Sequence, residues 1–265
     1  MQSSKRKNVE RSSRHPQIEE NLDNPGRKRY KEKELSYALM TNARTFGAHV
    51  GGRLNRQEIS ILRSPIPDVT SKPELLELAL VWFDILDKAF FFKILRNGMR
   101  RKKPIVIYHD EEQKVDGYCS CLGPSTYISL NIFRSRTRWT EGSAGECIID
   151  TLTHEMLHGF LHIFSCTCKH CGKRSIARKG GCGISGHGAN WCNAMDEIES
   201  AIQKQVQWNV DAGIAENLAI EMKSSGWQPR DDQVERWQLD GIELAELADD
   251  SEEFERRLIC YCNIM

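Results

Sequence analysis

The feature that most constrains this chain is a run of apolar residues at helical spacing with two histidines and a glutamate in its middle. The spacing predicts a helix over residues 143–164 that buries one face. The buried stripe consists of Ile148, Leu152, Met156, Phe160 and Ile163. His154, Glu155 and His158 interrupt this apolar segment, and such groups are costly to bury unless something binds them. The segment therefore predicts a packed helix that presents a polar triplet to a cleft.

The spacing of the triplet suits a metal ion. Residues four apart on a helix lie one above the other on the same face, so the imidazoles of His154 and His158 can reach one ion. Zn²⁺ accepts imidazole nitrogens at ~2.0–2.1 Å, and the intervening glutamate can take a proton from a zinc-bound water. We interpret both histidines as metal ligands and Glu155 as a general base. The alternative is an ordinary polar cluster on the surface of an amphipathic helix.

The third ligand is predicted to come from outside this helix. His162 extends the series, but eight residues of helix rise ~12 Å, which separates it too far from His154. His162 is therefore interpreted as a structural residue or as a support for the ligands. His187 is the preferred third ligand because glycines flank it and a helix predicted over residues 189–207 would fix its position. Glu197 and Glu199 on that helix are the alternatives.

The remaining elements predict an α+β fold. A helix is expected to begin at Ser71 and to end near residues 97–98. Three short strands follow over residues 105–108, 116–122 and 126–132, and their short links favour a small antiparallel sheet.

Charge and composition divide the chain into segments. Net charge is +4 over residues 1–34, +5 over residues 35–208 and −9 over residues 209–265. The 40% apolar content is low for a wholly packed chain of 265 residues. We predict a disordered basic arm (1–34), a helical or linker segment (35–69), a folded domain (70–208) and an acidic helical C-terminal segment (209–265).

A cysteine-rich insertion is predicted over residues 165–188. Its four cysteines could hold a second, structural zinc ion that would stabilise a polar loop. They are Cys166, Cys168, Cys171 and Cys182. Cys192 could replace one of them. The spacing is not a standard ligand pattern, so free thiols in a flexible insert are the equal alternative.

The expected cellular compartment follows from two features that the sequence does not contain, a membrane-spanning segment and a secretory signal. No window approaches ~18 consecutive apolar residues, and the N-terminus carries no secretory apolar region. We therefore expect an intracellular protein without membrane association, whose ten cysteines bind metal or stay reduced. Basic runs at residues 5–7 and 27–29 favour the nucleus, with the cytoplasm as the alternative.

Four segments together resemble the SprT-like zinc metalloprotease domain over roughly residues 70–205. They read LVWFDILDKAFF, YISLNIF, CIIDTLTHEMLH and GISGHGANWCNAMDEIE. The resemblance implies a compact zincin-type core in which His154, His158 and His187 bind a catalytic zinc ion and Glu155 is the catalytic base.

The activity that the resemblance implies is hydrolysis of peptide bonds in a protein substrate. In some members of the family the substrates are proteins crosslinked to DNA, which implies DNA or chromatin as a partner and a role in DNA repair. A different class of function is a zinc-stabilised module that binds chromatin or nucleic acid without proteolysis.

Overall fold

The computed structural model describes most of the chain between Tyr30 and Leu247. The described residues are 30–99, 103–110, 116–120, 126–132, 143–166, 183, 185–206, 210–241, 244 and 246–247. The protein is α+β and mostly helical, with a small three-stranded mixed sheet. Within these residues, no helix combines the length and the apolar character needed to cross a bilayer.

Helices account for most of the described residues. They are α1 (Glu32–Arg53), α2 (Arg56–Arg63), α3 (Lys72–Ala89), α4 (Leu95–Gly98), α5 (Ala144–Phe164), α6 (Ala189–Gln203), α7 (Ile214–Ser225) and α8 (Asp231–Arg236). The strands are β1 (Ile105–Tyr108), β2 (Gly117–Ser120) and β3 (Tyr127–Asn131).

The sheet is mixed, so the prediction of an antiparallel sheet is wrong. The strand order is β1-β3-β2, with β3 parallel to β1 and antiparallel to β2. The short link between β2 and β3 gives the antiparallel pair that we expected. The last strand then inserts between the first two, where its apolar residues Ile128 and Leu130 are fully buried.

Helix α5 begins as predicted because Ser143 is a strong helix cap. The Ser143 hydroxyl accepts the backbone N–H of Glu146, and the Glu146 carboxylate accepts the backbone N–H of Ser143 at 2.7 Å. This reciprocal pair satisfies two N–H groups at the start of the helix. The helix runs through the core to Phe164. The first four residues of its apolar stripe are buried, and Ile163 is half-buried.

Helix α3 ends at Ala89, about eight residues before the predicted end. The buried carboxylate of Asp87 accepts the backbone N–H groups of Leu95 at 2.9 Å and of Arg96 at 3.1 Å. These two hydrogen bonds hold the first turn of the short helix α4. In the turn between α3 and α4, Phe92 and Lys93 have positive φ. Apolar spacing continues through this region, so periodicity alone could not locate the break.

Two other boundaries differ from the sequence analysis. Helix α1 begins at Glu32, inside the arm predicted to be disordered; the rest of that arm, residues 1–29, lies outside the described residues. Helix α6 ends at Gln203 rather than near residue 207, because the following turn tightens to an i to i−3 bond from Gln205 N–H to the Ile202 carbonyl at 2.7 Å.

One hydrophobic core joins segments that the sequence analysis separated. Helix α1 from the predicted linker packs on α6, and α7 from the acidic C-terminal segment also packs on α6. Fully buried side chains from these helices and from α5 meet there, including Phe46, Phe160, Trp191 and Leu218. The core therefore connects α5, which carries His154, Glu155 and His158 (the HExxH motif), to residues more than fifty positions away.

Candidate metal centre

Three histidine side chains converge on one point. The Nε2 atom of His158 lies 3.0 Å from that of His154 and 2.9 Å from that of His187, and the remaining pair is 3.1 Å apart. Ligands of a tetrahedral zinc ion with Zn–N bonds of 2.0–2.1 Å are about 3.3 Å apart. The three nitrogens therefore have nearly the separation that a shared metal ion requires, and the group can hold a metal ion.

The hydrogen bond at the far side of His154 fixes its tautomer. Its Nδ1 atom lies 2.8 Å from the backbone carbonyl of Ala212. A carbonyl oxygen only accepts hydrogen bonds, so Nδ1 must carry the proton. In the neutral ring, Nε2 then presents a lone pair to the centre of the cluster.

A second hydrogen-bonded chain fixes His187 in the same way. The Ser185 hydroxyl lies 2.7 Å from Glu221 Oε2 and 3.1 Å from His187 Nδ1. The hydroxyl donates its only hydrogen to Glu221 Oε2, so the Ser185 oxygen accepts the Nδ1–H of His187. The Nε2 atom of His187 is therefore also a lone-pair donor.

The tautomers of His154 and His187 favour a cation at the centre of the cluster. Two lone pairs 3.1 Å apart, on His154 and His187, repel each other unless a positive charge lies between them. Burial holds the pKa of His158 and of His187 well below the ordinary value of 6.5, and the neighbouring histidines lower both further. The cluster can therefore offer neutral imidazoles to a metal ion.

Trp191 packs against all three imidazoles. Its ring centroid lies 4.7 Å from that of His154, 4.8 Å from that of His187 and 5.6 Å from that of His158. The indole is fully buried on α6. This apolar wall restricts the rotation of the rings and excludes water from one side of the cluster.

Glu155 lies beside the cluster and does not join it. Its side chain is buried, and its Oε1 atom is 4.0 Å from His154 Nε2. The atoms that lie close enough together to share one ion belong to the three histidines and do not include the Glu155 carboxylate. A carboxylate beside the cluster can still reach a water molecule bound to that ion. The position suits a general base.

The loop that carries His187 is shaped by close packing. Gly186 has φ +93°, and a side chain there would press on the His158 ring. On the other side, the Cys192 thiol donates to the His187 carbonyl at 3.3 Å. These contacts bring the backbone of His187 against both the HExxH helix and α6.

The structure places the other predicted site residues outside the cluster. His162 lies on the exposed side of α5. Glu197 forms an ion pair with Arg44, so it is not a ligand. Glu199 accepts the backbone N–H of Ala212 at 2.6 Å, and burial raises its pKa well above its usual range. It supports the residue that orients His154.

The proposed cysteine site lies mostly outside the described residues. This applies to Cys168, Cys171 and Cys182. Cys166 is half-buried, and its backbone N–H donates to the Tyr30 carbonyl at 2.8 Å. Cys192 is fully buried against His187. A second zinc site therefore stays a prediction.

Sequence reasoning missed the residues that support the ligands. Ala212 and Glu221 belong to the segment assigned to the acidic C-terminus, 58 and 36 residues from their partners His154 and Ser185. One signal was available: Glu221 is a carboxylate among apolar residues, near Leu218 and Met222, on what the structure shows to be helix α7. A buried carboxylate in such a position requires donors from elsewhere in the fold.

Comparisons with family models, with curated proteins and with solved structures give no match.

Proposed function

We propose that the protein is a zinc-dependent metallopeptidase with a compact zincin-type core. The observation that carries the proposal is the convergence of three Nε2 atoms beside the buried carboxylate of Glu155. The resemblance to the SprT-like family supports the same residues independently, from sequence motifs alone.

The donor set favours zinc with an open position. Three imidazole nitrogens at these separations suit tetrahedral Zn²⁺, and catalytic zinc sites have three protein ligands plus water. In the part of the chain that the structure describes, no fourth histidine, cysteine or carboxylate joins the group. A site closed by four protein ligands would instead favour a structural role.

The residues divide the chemistry between them. His154, His158 and His187 would hold the ion, which would lower the pKa of a bound water toward ~7 and polarise the scissile carbonyl. Glu155 takes a proton from the attacking water as the new C–O bond forms. It then gives that proton to the amide nitrogen as the C–N bond breaks, so one water is consumed for each peptide bond.

The sheet offers a place for an extended polypeptide. Strand β2 pairs with β3 along one edge, and within the described residues its other edge has no strand partner. Gly117 packs against Thr151, and Cys119 packs against Gly159. Glu155 lies four residues from each of these α5 positions, on the same face. Because a strand edge without a partner can pair with an extended chain, a peptide added to β2 would pass close to Glu155.

Cleavage of an unfolded protein substrate by the zinc-loaded full chain tests the proposal. The resemblance extends the substrate class to DNA-associated proteins, so the assay includes arms with and without single-stranded DNA. We expect the wild type to cleave and Glu155→Gln to bind equal zinc while its rate falls by roughly 10²–10⁴-fold. Equal cleavage by both proteins would contradict the assigned base. Bound zinc without cleavage in any arm would favour a binding module.

A further inference from the structure

Glu221 of helix α7 is completely buried and faces the loop that carries His187. Its exposed fraction is 0%. Its Oε2 atom accepts two hydrogen bonds from Ser185, one from the backbone N–H and one from the hydroxyl, both at 2.7 Å. A carboxylate in this position holds both the backbone and the side chain of the residue two before the proposed ligand.

The hydroxyl transmits the effect of the carboxylate to the ligand. Glu221 captures the hydroxyl hydrogen, which leaves the Ser185 oxygen as an acceptor for the Nδ1–H of His187 at 3.1 Å. Without the carboxylate, the hydroxyl could rotate and donate to Nδ1. The proton of the imidazole would then move to Nε2, and that nitrogen could no longer bind a metal ion.

The shape of the loop is a second, independent observation. Gly183 has φ +78°, and a side chain there would overlap the Glu221 carboxylate. The backbone of the loop therefore lies directly against the carboxylate. Both the left-handed conformation and this close approach require glycine.

We infer that Glu221 is a positioning residue for the metal centre, which acts through Ser185 to hold His187 with Nε2 aimed at the metal. The inference rests on the metal-binding part of the proposed function. Partners behind metal-ligating histidines typically change metal affinity 10–100-fold when they are removed. Helix α7, from the acidic segment, is then part of the metal centre.

The test measures zinc affinity of the full chain by competition with a chelator, for Ser185→Ala and Glu221→Gln. Glu216→Gln is the matched control, because it makes the same change in the first turn of the same helix. Cobalt(II) absorption spectra of each protein give a second readout. The spectrum reports the geometry at the metal and separates a site of nitrogen ligands from one of thiolates.

We expect Ser185→Ala to weaken zinc binding roughly 10–100-fold, Glu221→Gln about 10-fold, and Glu216→Gln not at all. The fold-loss of zinc affinity in the double variant should be smaller than the product of the two single fold-losses, because Glu221 acts through Ser185. Wild-type affinity and an unchanged cobalt spectrum in folded Ser185→Ala would overturn the inference, including where Glu221→Gln fails to fold. A wild-type chain that binds no zinc would instead overturn the proposed function.

Discussion

The metal centre has two halves that are built in different ways. His154 and His158 come from one long helix, whose cap, apolar stripe and ligand spacing all lie within about twenty residues. His187 comes from a loop whose position depends on Glu221 and Cys192. The first half is specified by local periodicity, and the second by contacts between distant segments.

Side-chain contacts also fix irregular segments elsewhere in the fold. Buried or half-buried carboxylates accept backbone N–H groups at three places where the chain leaves regular structure. These are Asp87 at the start of α4, Glu199 at Ala212, and Glu221 at Ser185. Each converts an irregular segment into a fixed one by satisfying backbone donors. Helix α5 places two of the proposed ligands, and carboxylates hold turns around the rest of the candidate site.

The largest expected effect comes from removing a ligand from either half. Each nitrogen contributes part of the free energy of zinc binding. His158→Ala and His187→Ala should therefore each weaken zinc binding on the order of 10²–10³-fold. That loss corresponds to about a quarter of the binding free energy of a zinc site with four ligands. Zinc content and affinity measure this directly. His162→Ala is the control on the same helix, and it should bind zinc as the wild type does. If only one of the two variants loses zinc affinity, the histidine replaced in the other variant is not a ligand.

A glycine pair tests the half that depends on distant contacts. Gly183→Ala should destabilise the fold by about 1–3 kcal/mol and weaken zinc binding, because its φ of +78° and the Glu221 carboxylate leave no room for a methyl group. Gly51→Ala, in helix α1 with no atom within 4 Å of the added methyl, should instead stabilise by about 0.5–1 kcal/mol. Denaturant unfolding of both variants measures the contrast. Equal effects would show that the loop is not held as described.

A pH-dependent effect is expected at a carboxylate remote from the metal centre. Burial raises the pKa of Asp87 from 3.8 to about 6, against the opposing effect of its two N–H donors. Its favourable contribution to stability is therefore complete below pH 3.8 and is lost as the pH rises through about 6. Asp87→Asn should remove a slope of at most about 1.4 kcal/mol per pH unit between these values. The difference between the two unfolding profiles measures it, and parallel profiles would contradict the assignment.

The sequence predicted the helical half of the site well. The boundaries of α5 agree with the structure because Ser143 caps the helix and the apolar stripe has one period. The three histidines were also found, since four-residue spacing and flanking glycines are local signals. His187 was chosen over Glu199 on that basis, and the structure brings its Nε2 atom to the cluster.

The other half could not be derived from local patterns. Helix α3 breaks at a side chain that accepts N–H groups eight and nine residues later, and apolar spacing continues through the break. The parallel pairing of β1 with β3 depends on which strand is buried most deeply, which short links do not reveal. The supports at Ala212 and Glu221 join segments that charge composition had separated.

Anomalous diffraction at the zinc edge, from crystals of the zinc-loaded full chain, tests the central claim most directly. We predict one strong peak ~2.0–2.1 Å from the Nε2 atoms of His154, His158 and His187, with a water or no protein atom at the fourth position. A peak elsewhere with none at this cluster would contradict the account, as would a fourth protein ligand that closes the site.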